Sequence, residues 1–308
     1  MKDKTMNETS LTRARAIARP SREAMLQRHP SVHSFWNDNR SLFQDAWAEW
    51  EATRPAQAPT LDETLYDPNL RAAVAHAWDD PTKETAVQDL WEEVFPGVYK
   101  CQFFDPEKLS VLRSYLEETV DADIPLRPPY GISLNRGGAM LDSRSEGYLA
   151  APNFQGFYQG LMDRYMRPIS RMLFPDTVGY DTQTFGFSIQ WQADADTSLR
   201  AHTDASAVTL NININLPGED FSGSGVRFFD RATRQVAELS FAPGTALIHH
   251  GNVPHESMPI TEGERSNLVL WLYGQSGQIP HPNAAPVTND PQLRWQKPDV
   301  ASDGYAPF

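Results

Sequence analysis

A histidine and an aspartate stand two residues apart in the stretch LRAHTDASAVTLNININL, residues 199–216. Because residues i and i+2 of an extended chain project to the same side, His202 and Asp204 can reach one point in space. The chain has 8 histidines, so a single His-x-Asp pair is a weak signal by itself. A further ligand is needed before the pair indicates a metal site.

Candidates for that ligand lie in GTALIHHGNVPHESMPITEGERSNLVLW, which offers His249, His250 and His255. Two histidines and one carboxylate on one face of an octahedral ion are the donor set of non-haem Fe(II) oxygenases, and they leave positions open for other ligands. A bidentate 2-oxo acid and dioxygen could fill those positions. The far carboxylate of 2-oxoglutarate would need a cation, and Arg265 is suited to this because its planar guanidinium binds a carboxylate through two hydrogen bonds.

The elements that carry these residues have the pattern of an antiparallel β structure. From residue 184 the apolar residues recur with a period of two, as in TFGFSIQWQ, and short strands separated by Gly, Asn and Asp follow. This favours a sandwich or barrel. In the strand after Asp204, a hydroxyl and carboxamides alternate with Leu and Ile, which suits an enclosed polar pocket.

Helices are predicted before this β region. Trp36, Phe43, Trp47 and Trp50 fall on one helical face. A second helix is predicted over residues 70–95. These helices are expected to cover one face of the sheet; the alternative is a binding module for a partner.

Two more helices are predicted within the β-containing part. Asp105 is a good N-cap and Pro106 suits the first helical position, so a helix should begin there. Another is expected over residues 154–173. Between them, residues 121–150 form a Pro- and Gly-rich loop that we expect to close over substrate.

Composition limits the function classes. The 308 residues carry a formal net charge of −13, which argues against a nucleic-acid partner. The single cysteine, Cys101, excludes a disulfide within the chain and a thiolate metal cluster, and this fits a cytoplasmic location. No apolar run approaches the roughly 18 residues of a membrane span, so no membrane partner is expected.

The segment from about Pro96 to Gly274 resembles the Fe(II)/2-oxoglutarate-dependent dioxygenases, in their prolyl- and lysyl-hydroxylase-like branch. HTDASAVTLNININ, the glycine turn FSGSGVRFF and GTALIHHG followed by HESMPITEGER are similar in order and spacing to lysyl hydroxylase catalytic domains. RPPYGISLNRGGAMLD and MRPISRMLFPD are similar to other plant and animal proteins of that branch.

The resemblance implies a mostly β core, a double-stranded β-helix of jelly-roll or cupin-like type, with covering α-helices and an N-terminal helical region. The expected domains are a helical region with a Pro-rich connector (1–95), the dioxygenase domain (96–275) and a Pro-rich tail (276–308).

The resemblance also implies the site and its ligands. Iron is expected on His202, Asp204 and His255, and the far carboxylate of 2-oxoglutarate on Arg265. Fe(II), 2-oxoglutarate and dioxygen are the implied cofactor and co-substrates, with ascorbate as a reductant and ascorbate binding as an associated property.

The chain departs from the family's usual co-substrate residues at three positions. Trp191 and Asn213 stand where many relatives have tyrosines, and Asn267 stands where Ser or Thr is frequent two residues after the arginine. An indole donates one hydrogen bond and accepts none. We expect Trp191, Asn213 and Asn267, together with Thr209, to form a rebuilt co-substrate pocket.

His255 is favoured over its two neighbours as the distal ligand. It precedes Arg265 by ten residues, and the turn in ESMPITEGE is expected to place the two on neighbouring strands. His249 and His250 come before a second turn, GNVP, and should lie on an earlier strand.

The function expected from this pattern is hydroxylation of an unactivated C–H bond of a small molecule, such as an amino acid or another metabolite. The alternatives are a peptidyl lysyl or prolyl hydroxylase acting on a protein or peptide, and a catalytically silent cupin-like metal-binding module.

Overall fold

The structure is a computed structural model, and it describes residues 8–26, 29–56, 58–128, 138–193, 198–281, 290–297 and 303–307. Within these residues the α-helices are α1 (Ser10–Ala16), α2 (Arg22–Leu26), α3 (Pro30–Thr53), α4 (Pro68–Asp79), α5 (Thr85–Gln88), α6 (Leu109–Asp121), α7 (Pro152–Gly160), α8 (Arg167–Leu173) and α9 (Pro291–Arg294). Short 3₁₀ turns and one π-helical segment, Leu161–Met166, accompany them.

The strands are β1 (Glu92–Phe95), β2 (Val98–Gln102), β3 (Gln183–Gln192), β4 (Leu199–His202), β5 (Val208–Asn213), β6 (Ser222–Gly223), β7 (Val226–Phe229), β8 (Val236–Leu239), β9 (Thr245–His250), β10 (His255–Ser257), β11 (Ile260–Glu262) and β12 (Glu264–Tyr273).

Two antiparallel sheets build the β core. The larger has the order β1-β2-β9-β5-β12-β3 and the smaller the order β4-β10-β7-β8, while β6 and β11 form a separate pair. From β3 onward the chain passes back and forth between the two sheets, with β3, β5, β9 and β12 in one and β4, β7, β8 and β10 in the other. This winding is a double-stranded β-helix, and the fold predicted from the sequence is confirmed.

The two faces of strand β5 lie in different environments, one against the helices and one toward the cavity. Its apolar residues Leu210, Ile212 and the following Ile214 are buried in the main hydrophobic cluster together with residues of the helices. Of the alternate residues, Thr209 and Asn211 line the cavity between the sheets. The helices therefore cover the outer face of the sheet, as the alternation predicted.

Helix α3 has the apolar face that its sequence predicts. Trp36, Phe43, Trp47 and Trp50 are all buried, and they belong to the same hydrophobic cluster as the outer face of β5. The N-terminal helices and the β core thus share one continuous core within the described residues.

The prediction of a helix over residues 70–95 is wrong for the second half of that range. Helix α4 ends at Asp79, and Pro81 follows, which cannot continue a helix because it lacks an N–H. Residues Glu92–Phe95 pair with β2 as an edge strand instead. The expected domain boundary after residue 95 therefore falls within the β1–β2 hairpin.

The two later helices are confirmed with shifted starts. Asp105 caps a turn, accepting from the N–H of Glu107 at 3.0 Å, and the regular helix begins at Leu109. The helix predicted over residues 154–173 is present as α7, the π-helical segment and α8. Of the predicted loop, residues 129–137 lie outside the described residues; beyond them, the N–H of Leu141 bonds to the Gly186 carbonyl at 2.8 Å on the edge of β3.

The described part of the C-terminal segment is anchored on the helices. Arg294 and the indole of Trp295 both donate to the buried carboxylate of Glu84, the latter at 2.8 Å. Among the described residues, no helix has the length and apolarity needed to cross a membrane.

Candidate metal and co-substrate site

Two histidines and an aspartate converge at one end of the space between the sheets. His202 ends β4 and His255 begins β10, and these two residues are cross-strand partners. Asp204 follows β4, where its N–H donates to the Gly251 carbonyl at 2.8 Å. One ligand atom from each of the three side chains can be chosen so that all lie within 4.8 Å of one another.

In both imidazoles, one ring nitrogen bonds to a backbone carbonyl, and the other nitrogen faces the cluster of three side chains. Nδ1 of His202 lies 2.8 Å from the Arg200 carbonyl, and Nδ1 of His255 lies 3.0 Å from the Val253 carbonyl. A carbonyl only accepts, so Nδ1 carries the proton in each ring and Nε2 keeps a free lone pair. This second hydrogen bond is a common feature of metal-bound histidines because it fixes the ring orientation.

The position of the Arg200 carbonyl depends on an irregularity in β4. His255 pairs with His202, but Ser257 pairs with Leu199, so β4 has one residue more than β10 over this interval. Such a bulge redirects a strand locally and is frequent beside active sites. Here the bulged segment supplies the carbonyl that holds the His202 ring.

The carboxylate of Asp204 is buried and ionised. Burial by itself would raise its pKa, but the nearby His202 and the other neighbouring histidines lower the pKa to about 2. Thr209 donates a hydrogen bond to Oδ2 of Asp204 at 2.6 Å. Nε2 of His202 lies 3.5 Å from Oδ1, and Nε2 of His255 lies 3.8 Å from Oδ2.

This donor set fits Fe(II). Two neutral imidazoles and one carboxylate supply three ligand atoms on one side, which is the facial arrangement of non-haem iron sites. Burial lowers the pKa of His255 and so favours its neutral, ligating form. The three residues predicted as metal ligands are therefore brought together.

The two other histidines lie on strand β9, as predicted. His249 is buried with its ring against Phe228 and against His255, whose centroid is 4.8 Å away. Its Nδ1 bonds to the His250 carbonyl at 2.8 Å, and burial lowers its pKa to about 3. His250 turns toward Asp176, with Nε2 3.4 Å from that carboxylate.

A cavity of about 320 Å³ begins at the three ligands and extends between the sheets. Half of the residues that line it are apolar, and the other half are polar or charged. The residues are Phe187, Ile189, Trp191, Leu199, His202, Thr203, Asp204, Ala205, Thr209, Asn211, Val226, His255, Ser257, Arg265, Val269 and Trp271.

Arg265 is the only cationic side chain other than the histidines among the described residues that line this cavity, and it is only 1% exposed. Its guanidinium donates to the Ser224 carbonyl and, at 3.3 Å, to the Ser257 hydroxyl. The rings of Trp191 and Phe241 lie 5.5 and 5.4 Å from it. Within the described part of the chain no carboxylate pairs with it, and burial lowers its pKa to about 9.

A buried, charged guanidinium without a counter-ion is costly, and an anionic ligand would remove that cost. Arg265 lies on β12 of the larger sheet, whereas His255 lies on β10 of the smaller sheet. The expectation that they occupy neighbouring paired strands is therefore wrong. They face the same cavity from opposite sheets, because the chain changes sheets between β10 and β12.

The asparagines expected in the co-substrate pocket, Asn213 and Asn267, do not line the cavity. Asn267 is buried and donates to Oδ1 of Asn211 at 2.6 Å, and it is Asn211 that lines the cavity. Asn213 is fully buried; its amide bonds to Oδ1 of Asn215 at 2.9 Å, and it does not line the cavity. The expectation that the whole polar face of β5 surrounds the co-substrate thus applies to Thr209 and Asn211 only.

Two polar residues of the lining, Thr203 and Ser257, are not predicted as site residues from the sequence. Asn211 is expected to face the co-substrate with the other polar residues of its strand, and it does line the cavity. Ser257 is two residues after His255, and the i, i+2 rule that paired His202 with Asp204 would have placed it on the same face. Arg227 lies on the smaller sheet and donates to Glu256 at 3.1 Å and to Glu238 at 3.0 Å.

No protein-family model matches the chain. It is 31% identical over 186 residues to 2-oxoglutarate and iron-dependent oxygenase domain-containing protein 2 of Xenopus tropicalis, covering 57% of this chain and 48% of that protein. The predicted resemblance to the 2-oxoglutarate and iron-dependent oxygenases is confirmed.

Two further relatives show the same resemblance. The similarly named protein ICU11 of Arabidopsis thaliana is 28% identical over 194 residues, 58% of this chain and 46% of that protein. The multifunctional procollagen lysine hydroxylase and glycosyltransferase LH3 of Rattus norvegicus is 33% identical over 151 residues, 44% of this chain and 20% of that protein. The predicted branch is confirmed.

The chain spans about half the length of the first two of these relatives. Among solved structures, a prolyl 4-hydroxylase from Phytophthora capsici is similar at 14% identity, covering 78% of this chain and 80% of that one. Its TM-score of 0.46 is too low to add to the assignment.

Proposed function

We propose that this oxygenase uses Fe(II), 2-oxoglutarate and dioxygen to hydroxylate an unactivated C–H bond. The observation that supports this most is one cavity that holds the His202–Asp204–His255 cluster and the buried Arg265, which no carboxylate of the described residues pairs with. A metal-binding module without this reaction would not need a buried cation in the same cavity. The catalytically silent cupin-like alternative is therefore less favoured.

In this proposal, bound Fe(II) with 2-oxoglutarate supplies the oxidising chemistry, and the protein supplies binding, orientation and exclusion of water. His202, Asp204 and His255 hold the metal. Thr209 holds the Asp204 carboxylate through its 2.6 Å hydrogen bond. Ascorbate is the reductant we expect to sustain turnover.

Arg265 would bind the distal carboxylate of 2-oxoglutarate. Its two terminal nitrogens can meet both oxygens of a carboxylate, and the apolar wall of Ile189, Val226 and Val269 suits the intervening methylene groups. Trp191 lies against the guanidinium, and Asn211 contributes an amide to the lining.

The cavity lining limits the group that is hydroxylated. Arg265 is assigned to the co-substrate and Asp204 to the metal. The other described residues that line the cavity include no Lys, Arg, Asp or Glu. Leu199, Phe187 and Trp271 are apolar. We infer that the reacting part of the substrate is uncharged and small.

A small molecule that presents such a group is the substrate class we propose. A peptidyl side chain is the second candidate, and it is favoured by the similarity to a relative named as a procollagen lysine hydroxylase. A free amino acid fits only if its charged groups stay outside this cavity.

Substrate-dependent succinate release is the experiment that tests the proposal. The protein, loaded with Fe(II), 2-oxoglutarate and ascorbate, is screened against a metabolite library and against proline- and lysine-containing peptides. We expect succinate formation with an uncharged aliphatic group and its loss in the His255→Ala variant. Equal succinate formation in both proteins would contradict the proposed site, and turnover with peptides alone would favour the second candidate.

A further inference from the structure

Two positions where the sequence resemblance led us to expect a co-substrate hydroxyl group carry none. Trp191 and Asn213 occupy the two positions. The face of the Trp191 ring packs beside the guanidinium of Arg265 at 5.5 Å, and Asn213 bonds to Asn215 away from the cavity lining. Neither residue offers a hydroxyl group to a carboxylate bound at Arg265.

Ser257 supplies a hydroxyl group next to Arg265. It lies on β10 two residues after the metal ligand His255, and it lines the same cavity. Its Oγ accepts a hydrogen bond from Nη2 of Arg265 at 3.3 Å. The hydroxyl therefore lies beside the group that would bind the distal carboxylate.

Because the Ser257 oxygen accepts from Arg265, its hydroxyl hydrogen is still available to donate. A serine hydroxyl has one O–H and two lone pairs, and Arg265 uses one lone pair. Within the described residues no acceptor takes the Ser257 proton. An anion paired with Arg265 would supply that acceptor, and hydrogen bonds to charged groups are the stronger kind.

We propose that Ser257 donates its hydroxyl hydrogen to the distal carboxylate of 2-oxoglutarate bound at Arg265. This rests on the proposed function. Ser257 would act with Arg265 as a positioning residue that selects a dicarboxylic 2-oxo acid over one with an apolar end.

The test compares two ligands in the absence of oxygen, so that no turnover is needed. Fe(II)-loaded wild type and Ser257→Ala are titrated with 2-oxoglutarate and with 2-oxopentanoate, which keeps the 2-oxo acid but lacks the distal carboxylate. Binding is followed by the visible charge-transfer absorption. Ser222→Ala, an exposed serine on β6, is the matched control.

We expect Ser257→Ala to weaken 2-oxoglutarate binding roughly 10- to 100-fold, the range for a hydrogen bond to a charged group. Its affinity for 2-oxopentanoate should equal that of the wild type, and Ser222→Ala should match the wild type with both ligands. Unchanged 2-oxoglutarate affinity in Ser257→Ala would overturn the inference and leave the proposed function intact.

Equal weakening of both ligands would also overturn it, because Ser257 would then support the general shape of the site and not the distal carboxylate. A wild-type protein that binds iron but not 2-oxoglutarate would instead contradict the proposed function itself. The two failures are thus distinguished by the wild-type titration.

Discussion

His202 and His255 face each other directly across the β4–β10 pair, with their ring centroids 4.3 Å apart. Each ring is held by a backbone carbonyl on its own strand or turn. The register of two short strands therefore sets the separation of the ligands, and Asp204 completes the cluster from the segment that follows β4.

The identity of the distal ligand gives the first prediction. His255→Ala should weaken Fe(II) binding by more than the roughly 10- to 100-fold loss caused by removing a hydrogen-bond partner of a ligand. His250→Ala is the control, because its Nε2 faces Asp176. Anaerobic metal titration measures both. Wild-type iron affinity in His255→Ala beside a loss in His250→Ala would contradict the assignment.

Removal of the guanidinium is the second prediction. Arg265→Ala should keep its iron but lose about 2–5 kcal/mol of 2-oxoglutarate binding free energy, the range for truncation of one partner of a buried charge pair. Arg227→Ala removes an arginine that pairs with Glu238 and Glu256, and it should bind 2-oxoglutarate normally. Equal effects of the two substitutions would show that the co-substrate does not bind at Arg265.

The third prediction concerns the partner of the metal-binding carboxylate. Thr209→Val keeps the side-chain shape but removes the 2.6 Å hydrogen bond to Asp204, so iron affinity should fall roughly 10- to 100-fold. Thr261→Val, at an exposed position of β11, is the matched control. If Thr209→Val binds iron as tightly as the control, this hydrogen bond does not orient the ligand.

Much of the site could be predicted because its residues obey short-range rules. The i, i+2 relation unites His202 with Asp204, and the alternation of β5 separates Thr209 from Leu210. The ten-residue spacing from His255 to Arg265 also indicates the pair, although the two residues lie on opposite sheets and not on neighbouring strands. A sequence shows that a chain turns, but not that it crosses to the opposite sheet.

The parts that could not be predicted depend on long-range packing. Asn211 and Asn213 lie on the same face of β5, yet Asn211 lines the cavity while Asn213 bonds to Asn215 and to the Ser266 carbonyl of β12. The helix predicted through Glu92–Phe95 failed for the same reason. Pairing with β2 overrode the local pattern.

The fourth prediction concerns Cys101, whose side chain is buried on β2. Burial raises the pKa of its thiol to about 12. At a pH near 8.5, where about half of an ordinary exposed thiol is ionised, the reactive thiolate of Cys101 is therefore scarce. Iodoacetamide should add no mass to the folded protein and one adduct in urea. Rapid alkylation of the folded protein, followed by mass spectrometry, would show that the thiol is accessible.

The most direct test of the central claim is anaerobic addition of 2-oxoglutarate to the Fe(II)-loaded protein. If His202, Asp204 and His255 hold iron in the cavity that contains Arg265, a weak metal-to-ligand charge-transfer absorption should appear in the visible region. It should be absent from Asp204→Ala, and Arg265→Ala should need more 2-oxoglutarate to produce it. A wild-type protein that binds Fe(II) but shows no such absorption at saturating 2-oxoglutarate would contradict the account.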